Sequence, residues 1–284
     1  MPSSLLYLLV FHGSRDPRSQ EAAKTLTHQV QQKLHYAPQV AQAVGERTAF
    51  NPVSPITVTH NPRQVSALEH RSDDKSVEAM VQAAYLECQP LGLHEQIQNQ
   101  IFELRHSSQL IDIQRVIVLP VFLLAGVHVM EDIPSEIELA QSAIAPISIH
   151  VLPHLGAHPG LRRILNERMA TLPVEAWILV AHGSKRPGAN EPIEQLADHL
   201  GAIAAYWSTT PELETRLKEL MEAGFRRIGI LPFFLFRGGI TDAIAETTTQ
   251  FAKHFPKMHI TLTNPLEDLP GLSDLLVQMA VQGG

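Results

Sequence analysis

Residues 8–17 read LLVFHGSRDP, and residues 178–187 repeat the pattern as ILVAHGSKRP. The repeat aligns His12 with His182, and in both copies an apolar run leads directly into His-Gly-Ser. Such a run is typical of a buried strand that ends in a polar turn. Because the two copies lie in opposite halves of a 284-residue chain, the sequence predicts two tandem copies of one domain.

A second repeat supports this division of the chain. Residues 115–124 read RVIVLPVFLL and residues 227–236 read RIGILPFFLF, each a nearly continuous apolar run of the kind that parallel sheets bury on both faces. Each half reads βαβαβαβα, which predicts an α/β fold of two tandem domains, 1–172 and 173–284. Each domain is expected to be a parallel sheet with helices on both faces, and the two sheets to pack face to face.

The individual elements follow from hydrophobic periodicity and from turn and cap residues. Strands are expected at 8–11, within 77–86, and at 115–124, 147–152, 177–181, 203–207, 227–236 and 259–262. Helices are expected at 19–34, 94–104, 161–169, 192–200, 211–223, 241–254 and 272–279, with one more that carries Pro134 in its first turn. Thr210 is the predicted N-cap of the helix at 211–223.

Residues 36–76 fit neither pattern. They contain four prolines and few large apolar side chains, and unstructured connections of this length are uncommon inside compact domains. The sequence therefore predicts a mobile insertion outside the core of the first domain. A disordered spacer is favoured there over a functional lid.

Composition excludes several classes of function. The formal net charge of −7 provides no basic field that would bind nucleic acid or an anionic membrane. One cysteine, Cys88, excludes an internal disulfide and any CxxC metal or iron–sulfur site. The apolar N-terminal run ends in His-Gly-Ser-Arg, and no stretch approaches the roughly 18 apolar residues that a membrane span needs. A soluble, cytoplasmic protein is expected.

Alignment of the two halves singles out three side chains in the first half. His12 keeps a counterpart in His182, but Glu87 aligns with Ser208 and His128 with Ile240. The scaffold therefore does not require Glu87 or His128. All three are predicted at the carboxyl ends of parallel strands, where such sheets bind ligands. Two imidazoles and a carboxylate at one edge could hold a borderline divalent metal ion, or accept protons near neutral pH.

Other readings of the same residues are weaker. His154 and His158 are four residues apart, but Gly156 and Pro159 place them in a loop rather than on one helix face. Ser14 could be a nucleophile beside His12, although no Gly-x-Ser-x-Gly elbow is present. The HGSR run could bind phosphate at the start of the following helix, which would suit a phosphoesterase.

Four stretches of the sequence are distinctive: HGSRDP, the strand end Tyr-Leu-Glu, LPVFLLAGVHVMEDIP and HLGAHPGL. Together they resemble the sirohydrochlorin chelatases, the class II chelatases that insert cobalt or iron into an acidic tetrapyrrole. The resemblance implies that His12 and His128 are the metal-handling histidines. Glu87 would orient one imidazole or take the proton onward, as carboxylates do beside metal-bound histidines. The resemblance implies Fe²⁺ or Co²⁺ as the substrate metal and no other cofactor. Imidazole and carboxylate donors suit Ni²⁺ as well, so Ni²⁺ is also possible.

Small members of that family are single domains that form dimers, so this chain resembles a fused pair and is expected to be a monomer. Ser208 and Ile240 break the second site, which leaves His182 without partners. The cations near the predicted strand ends, which could bind the substrate carboxylates, are Arg15, Arg18, Lys185, Arg186 and Arg237, with exposed loop cations as the alternative for each. Substrate binding is assigned to Ser14, Arg15, Lys185 and Arg237. A non-catalytic tetrapyrrole or metal carrier that uses the same cleft is the alternative function.

Overall fold

In a computed structural model that describes residues 3–45, 79–106 and 112–283, the first half contains a four-stranded parallel sheet. Its strands are β1 (Ser3–Phe11), β2 (Ala79–Tyr85), β3 (Asp112–Pro120) and β4 (Ser148–Val151), in the spatial order β2-β1-β3-β4. Its helices are α1 (Pro17–Gly45), α2 (Leu93–His106), α3 (Ile133–Ala143) and α4 (Pro159–Ala170). A π-helical turn, His128–Asp132, leads into α3.

The second half repeats this architecture. Its strands are β5 (Ala176–Ala181), β6 (Ala202–Tyr206), β7 (Arg227–Pro232) and β8 (His259–Leu262), in the order β6-β5-β7-β8. Its helices are α5 (Glu191–His199), α6 (Leu213–Glu222), α7 (Gly239–His254) and α8 (Leu272–Gly283). All neighbouring strands in both sheets are parallel, which confirms the predicted fold of two tandem parallel α/β sheets.

Strand β1 shows why an unbroken apolar run becomes a central strand. Leu6, Leu8 and Val10 enter one hydrophobic cluster, whereas Leu9 and Phe11 enter another. Both faces of β1 are buried because successive side chains of a strand point to opposite faces of the sheet. The helix that follows begins at Pro17, and the Asp16 carboxylate accepts a hydrogen bond from the Arg18 backbone N–H at 2.9 Å.

The two halves share one hydrophobic core. A single cluster includes Leu9 of β1 and Leu179 of β5, together with apolar residues of α1, α4, α5 and α8. Helix α8 belongs to the second half by sequence, yet it packs against α1, α4 and β3 of the first half. The two sheets thus face each other across a layer of helices, and their carboxyl ends meet where the rings of Phe11 and Phe236 lie 5.6 Å apart.

Several predicted boundaries are wrong. Strands β3 and β7 end at Pro120 and Pro232, four residues earlier than the apolar runs suggested. The next residue of each run still donates a backbone hydrogen bond to the central strand, and the remaining residues then leave the sheet as loops. Those loops stay apolar because they form the wall of a cavity, so hydrophobicity alone could not mark the strand ends.

The helix predicted at 211–223 begins at Leu213 with Glu212 as its N-cap, so the prediction of Thr210 as N-cap is wrong. The Pro211 carbonyl instead accepts a hydrogen bond from the Tyr206 backbone N–H at 2.9 Å, which holds this segment beside β6. Helix α1 extends to Gly45, so residues 36–45 are helical and not part of an unstructured insertion. The rest of the proposed insertion, 46–76, lies outside the described residues.

Within the part of the chain that the structure describes, every helix is too short or too polar to cross a membrane.

Candidate metal centre

The candidate centre lies at the carboxyl end of the first sheet. His12 directly follows β1, Glu87 follows β2, and His128 begins the π-helical turn after the loop that leaves β3. The Glu87 backbone N–H donates to the His12 carbonyl at 2.8 Å, which extends the pairing of β1 and β2 past their ends. The sheet edge and this turn bring together the three side chains predicted from the comparison of the two halves.

The three side chains form one cluster. His12 Nε2 lies 3.1 Å from His128 Nε2, and the two rings meet edge to face at 89°. Glu87 lies between them, with one oxygen 3.9 Å from His12 Nδ1 and the other 3.9 Å from His128 Nε2. One ligand atom from each residue falls within 4.8 Å of the other two. Imidazole nitrogens and a carboxylate oxygen are donors that first-row divalent metals accept.

Neighbouring hydrogen-bond acceptors indicate which ring nitrogens of His12 and His128 are available to bind a metal ion. His128 Nδ1 lies 2.7 Å from Asp132 Oδ2, and His12 Nδ1 lies 3.2 Å from the Gly13 carbonyl oxygen. Carboxylate and carbonyl oxygens only accept hydrogen bonds, so these partners favour the neutral tautomer in which Nδ1 carries the proton and Nε2 presents a lone pair. Two lone pairs facing each other at 3.1 Å repel unless a cation or a proton lies between them. The geometry therefore suits a divalent cation or a shared proton.

Asp132 is the site residue that sequence reasoning missed. It lies four residues after His128 within the same turn, which is the spacing at which side chains on one helical face meet. That spacing in GVHVMED was the available signal. Carboxylates that accept a hydrogen bond from a metal-binding imidazole fix its tautomer and its ring orientation. Asp132 therefore acts on the centre through His128.

We expect Asp132→Ala to weaken Co²⁺ binding by about 10–100-fold, because His128 would lose the acceptor that fixes its tautomer. Asp132→Asn keeps a carbonyl acceptor and should retain more affinity than the alanine variant. The measurement is a Co²⁺ titration followed by visible absorption. Glu138→Ala is the matched control, since it removes one exposed carboxylate from the neighbouring helix α3. Equal affinity of the Asp132 and Glu138 alanine variants would contradict the assignment.

The second half keeps the scaffold of the centre but not its ligands. The Ser208 backbone N–H donates to the His182 carbonyl at 2.8 Å, as Glu87 does to His12, which supports the alignment of Ser208 with Glu87. The Ser208 hydroxyl donates to the Gly183 carbonyl at 3.0 Å. Among the described residues, the first-half cluster is the only group of three or more metal-ligating side chains, and His182 is outside it.

A cavity of about 710 Å³ connects the carboxyl ends of both sheets; we call it the central cavity. His12, His128, His182 and Ile240 all line it. The rest of its wall is largely apolar and aromatic, with Phe11, Tyr85, Phe122, Phe233, Phe234 and Phe236. Its size and apolar lining, with a few convergent polar groups, are those of a site for a small organic ligand.

Of the predicted substrate-binding residues, one lines the central cavity and the others do not. Ser14 lines the central cavity, and its hydroxyl oxygen accepts the Asp16 backbone N–H at 3.0 Å. Arg15 and Lys185 do not line it. Arg237 is also absent from its wall, because its guanidinium group donates to Glu267 at 2.9 Å and to Asp268.

The two loop histidines do not join the metal cluster. His158 caps helix α4, where its Nδ1 accepts the Gly160 backbone N–H at 3.1 Å. His154 is half-buried, and burial lowers its pKa.

Two parallel α/β sheets that enclose a cavity, with a His–His–Glu cluster on one side of it, define a class of tandem α/β-sheet proteins with a candidate metal centre. The sequence shows to which family of this class the chain belongs. The model of the CbiX family matches residues 59–172 and, a second time, residues 176–282, so the chain belongs to the CbiX family.

Curated relatives agree with this placement, and a solved structure shares the fold. The chain is 24% identical over 186 residues to a sirohydrochlorin cobaltochelatase of Priestia megaterium, a match that covers 60% of this chain and 61% of that protein. It is 23% identical over 175 residues to a sirohydrochlorin ferrochelatase of the same organism, covering 57% and 65%. The chain thus spans less than two thirds of either relative. The fold resembles SirB from Bacillus subtilis with Fe³⁺, at a TM-score of 0.66, 18% identity, and 99% and 95% coverage.

Proposed function

We propose that this protein is a sirohydrochlorin chelatase, a lyase that inserts Fe²⁺ or Co²⁺ into sirohydrochlorin. The observation that carries the proposal is the pair of imidazole Nε2 atoms that lie 3.1 Å apart at the wall of a largely apolar cavity. Membership of the CbiX family and similarity to both a cobaltochelatase and a ferrochelatase support it. The two relatives differ in metal, so either siroheme or cobalamin synthesis fits this role.

The reaction requires that a divalent ion enter the macrocycle and that two pyrrole N–H protons leave it, with no change of oxidation state. His12 and His128 would present the ion through Nε2 and would each accept a proton once the metal has moved onto the macrocycle. Glu87 lies 3.9 Å from a ring nitrogen of each histidine and is half-exposed, so it is placed to pass protons to solvent. Neither a redox cofactor nor a nucleotide takes part in this scheme.

The central cavity supports the choice of a macrocycle with a flat, apolar ring as substrate. Phe122 and Phe233 come from equivalent loops of the two halves and line the cavity together with Ile240. Ile240 occupies the position that aligns with His128, so the second half presents an apolar wall where the first half presents a ligand. One half would hold the metal ion and the other would support the ring.

The remaining features of the proposal extend the sequence predictions. We propose two domains that meet at residues 172 and 173, with the active site in the first domain, in a cytoplasmic monomer. Direct binding of substrate carboxylates by Arg15, Lys185 and Arg237 stays a prediction, as does a contact from Ser14. For Arg237 such contact would require exchange of its present partners, Glu267 and Asp268.

The decisive experiment is an anaerobic insertion assay. Sirohydrochlorin is mixed with Fe²⁺, Co²⁺ or Ni²⁺ in separate reactions, with and without the protein, and the absorbance change of the macrocycle is followed. We expect insertion of at least one metal at a rate proportional to protein concentration. Binding of metal and macrocycle without turnover would instead identify a carrier, and hydrolysis of a generic phosphate ester would identify a phosphoesterase.

His182→Ala should reduce insertion only slightly, within a few-fold of the unaltered protein. A single imidazole without a second histidine or a carboxylate cannot form the two-histidine site, so His182 is expected to contribute to the cavity wall alone. The measurement is the initial rate of Co²⁺ insertion, compared with the rate of the His12→Ala variant under the same conditions. Equal losses in the two variants would favour two working half-sites.

A further inference from the structure

A second cavity of about 970 Å³ adjoins the central cavity; we call it the Arg186 cavity. The two cavities share the wall residues Leu123, Leu124, Gly126 and Phe233, so they are neighbouring parts of one cleft. We propose that the Arg186 cavity binds one carboxylate-bearing edge of the macrocycle through Arg162 and Arg186, and that substrate enters the cleft on this side. This inference rests on the proposed function, since it takes sirohydrochlorin as the ligand.

The cations of the Arg186 cavity are available for an anionic ligand. Arg186 lies in the loop after β5 and Arg162 on α4; both are exposed and line the cavity. Within the described ranges, no carboxylate lies at ion-pair distance from either guanidinium group. Arg163, the next residue of α4, differs because it pairs with Glu167 at 2.8 Å. An unpaired guanidinium group offers a carboxylate a bidentate, charge-assisted contact.

Histidines add further donors to this wall. The Nδ1 atom of His158 accepts the Gly160 backbone N–H at 3.1 Å, so a neutral His158 ring carries its proton on Nε2 and can donate it to a ligand. His199 also lines the cavity. Glu131 is the carboxylate among the lining residues, so cationic and donor groups outnumber acidic ones there.

The mouth of the same cavity is unusually apolar. Leu124, Val127 and Met130 line it and are 38%, 41% and 65% exposed. Large apolar side chains that share an exposed patch commonly mark a ligand or partner site. Apolar surface beside unpaired cations matches a macrocycle that has a flat apolar ring and carboxylates at its rim.

The internal repeat explains why only one side of the cleft is available. The repeat aligns Arg186 with Asp16 and Met130 with Asp242, so the two sides of the cleft are built from equivalent loops. On the opposite side, Arg18 donates to Asp242 at 2.7 Å and to Asp16 at 2.7 Å. These hydrogen bonds from Arg18 lower the pKa of both carboxyl groups. The charges on that side are therefore already paired between the halves.

We call the side of the cleft that carries Arg18 the Arg18 side. A further hydrogen bond connects the two halves there, from the Ser19 hydroxyl to the Arg237 carbonyl at 2.8 Å. Across the Arg186 cavity, the loops 183–190 and 121–131 exchange no hydrogen bond or ion pair among the described residues. One side of the cleft is thus tied between the halves, and the other side is open and carries unpaired cations. The unpaired guanidinium groups of Arg162 and Arg186 attract an acidic macrocycle to the open side, whereas the net charge of −7 of the whole chain gives no general attraction for anions.

The test compares Arg162→Gln, Arg186→Gln and the double variant with Arg163→Gln as the matched control. Arg163 is the neighbour of Arg162, so its variant removes the same charge from the same helix without changing the cavity lining. The measurements are KM and kcat for Co²⁺ insertion, the Kd of metal-free sirohydrochlorin from its fluorescence, and the Kd of Co²⁺ in the absence of macrocycle.

We expect each cavity variant to raise KM and the macrocycle Kd about five-fold, with a larger increase in the double variant, while kcat and the Co²⁺ Kd stay unchanged. A loss of that size is typical of one exposed charge-assisted contact. Macrocycle affinities equal to that of Arg163→Gln would overturn this inference and leave the proposed function intact. If the unaltered protein binds the macrocycle without inserting metal, the proposed function fails while the Kd values still test the inference. An unaltered protein that does not bind the macrocycle at all would overturn both.

Discussion

His12→Ala and His128→Ala should each lower kcat/KM for metal insertion by about 10³-fold or more. Each variant removes one of the two Nε2 atoms that face each other at 3.1 Å, and with it both a metal ligand and a proton acceptor. A single remaining imidazole with Glu87 offers one nitrogen and one carboxylate, which is a poorer site for Fe²⁺ or Co²⁺.

These variants should remain folded. The His12 and His128 side chains are 52% and 33% exposed, so their truncation leaves no closed cavity in the core. The measurement is the initial rate of anaerobic Co²⁺ insertion, with thermal unfolding and a Co²⁺ titration as accompanying measurements. We expect Tm to change little and Co²⁺ affinity to fall. A variant of either residue with undiminished insertion would remove the basis of the mechanism.

Gly13→Ala should be the most destabilising single change near the centre, at about 3 kcal/mol or more in the free energy of unfolding. Gly13 has φ +95°, in the left-handed region that side chains rarely adopt. A Cβ at this position would also lie 2.0 Å from the Glu87 carbonyl oxygen. That oxygen belongs to the backbone, so the strain can be relieved only if the loop that carries Glu87 moves.

Gly201→Ala is the matched control for Gly13→Ala. Gly201 has φ +64°, but a Cβ there meets no atom within 4 Å, so the alanine variant should lose only about 1 kcal/mol from backbone strain. Denaturant unfolding measures both changes. The difference between them reports the steric clash with Glu87, and Gly13→Ala should in addition weaken Co²⁺ binding. Equal destabilisation by the two alanine substitutions would show that the close approach of the Glu87 carbonyl to position 13 does not affect the free energy of unfolding.

Much of the site could be predicted because the chain contains two copies of the same domain pattern, whose sequences can be compared with each other. The aligned halves showed that Glu87 and His128 are replaced by Ser208 and Ile240, so the scaffold does not need them. Parallel strands place their carboxyl ends at one edge, so residues far apart in sequence were expected to meet there. The cluster of His12, Glu87 and His128 agrees with that expectation.

Other parts of the site depend on contacts that periodicity does not encode. Lys185 and Arg237 both follow strand ends, yet neither lines the central cavity, and two acidic residues bind the Arg237 guanidinium group. The sequence did not identify Arg162 as a site residue, because an exposed cation on a helix is an ordinary surface feature. Its place in the same cavity wall as Arg186 became visible only in the tertiary structure.

The sequence by itself determined the α/β class, the two tandem sheets and the sheet edge at which the two histidines lie. This was possible because local apolar patterns predict buried strands and because the internal repeat predicts two copies of the sheet. Only the tertiary structure decided which oxygen atoms lie beside Nδ1 of His128 and His12, namely those of Asp132 and of the Gly13 carbonyl. It also decided the packing of α8 on the first half and the side of the cleft that stays open. Those features depend on hydrogen bonds and packing between segments that are remote in sequence or whose side-chain directions are set by loop geometry. The asymmetry between the Arg18 side and the Arg186 side arises in this way from two nearly equivalent halves.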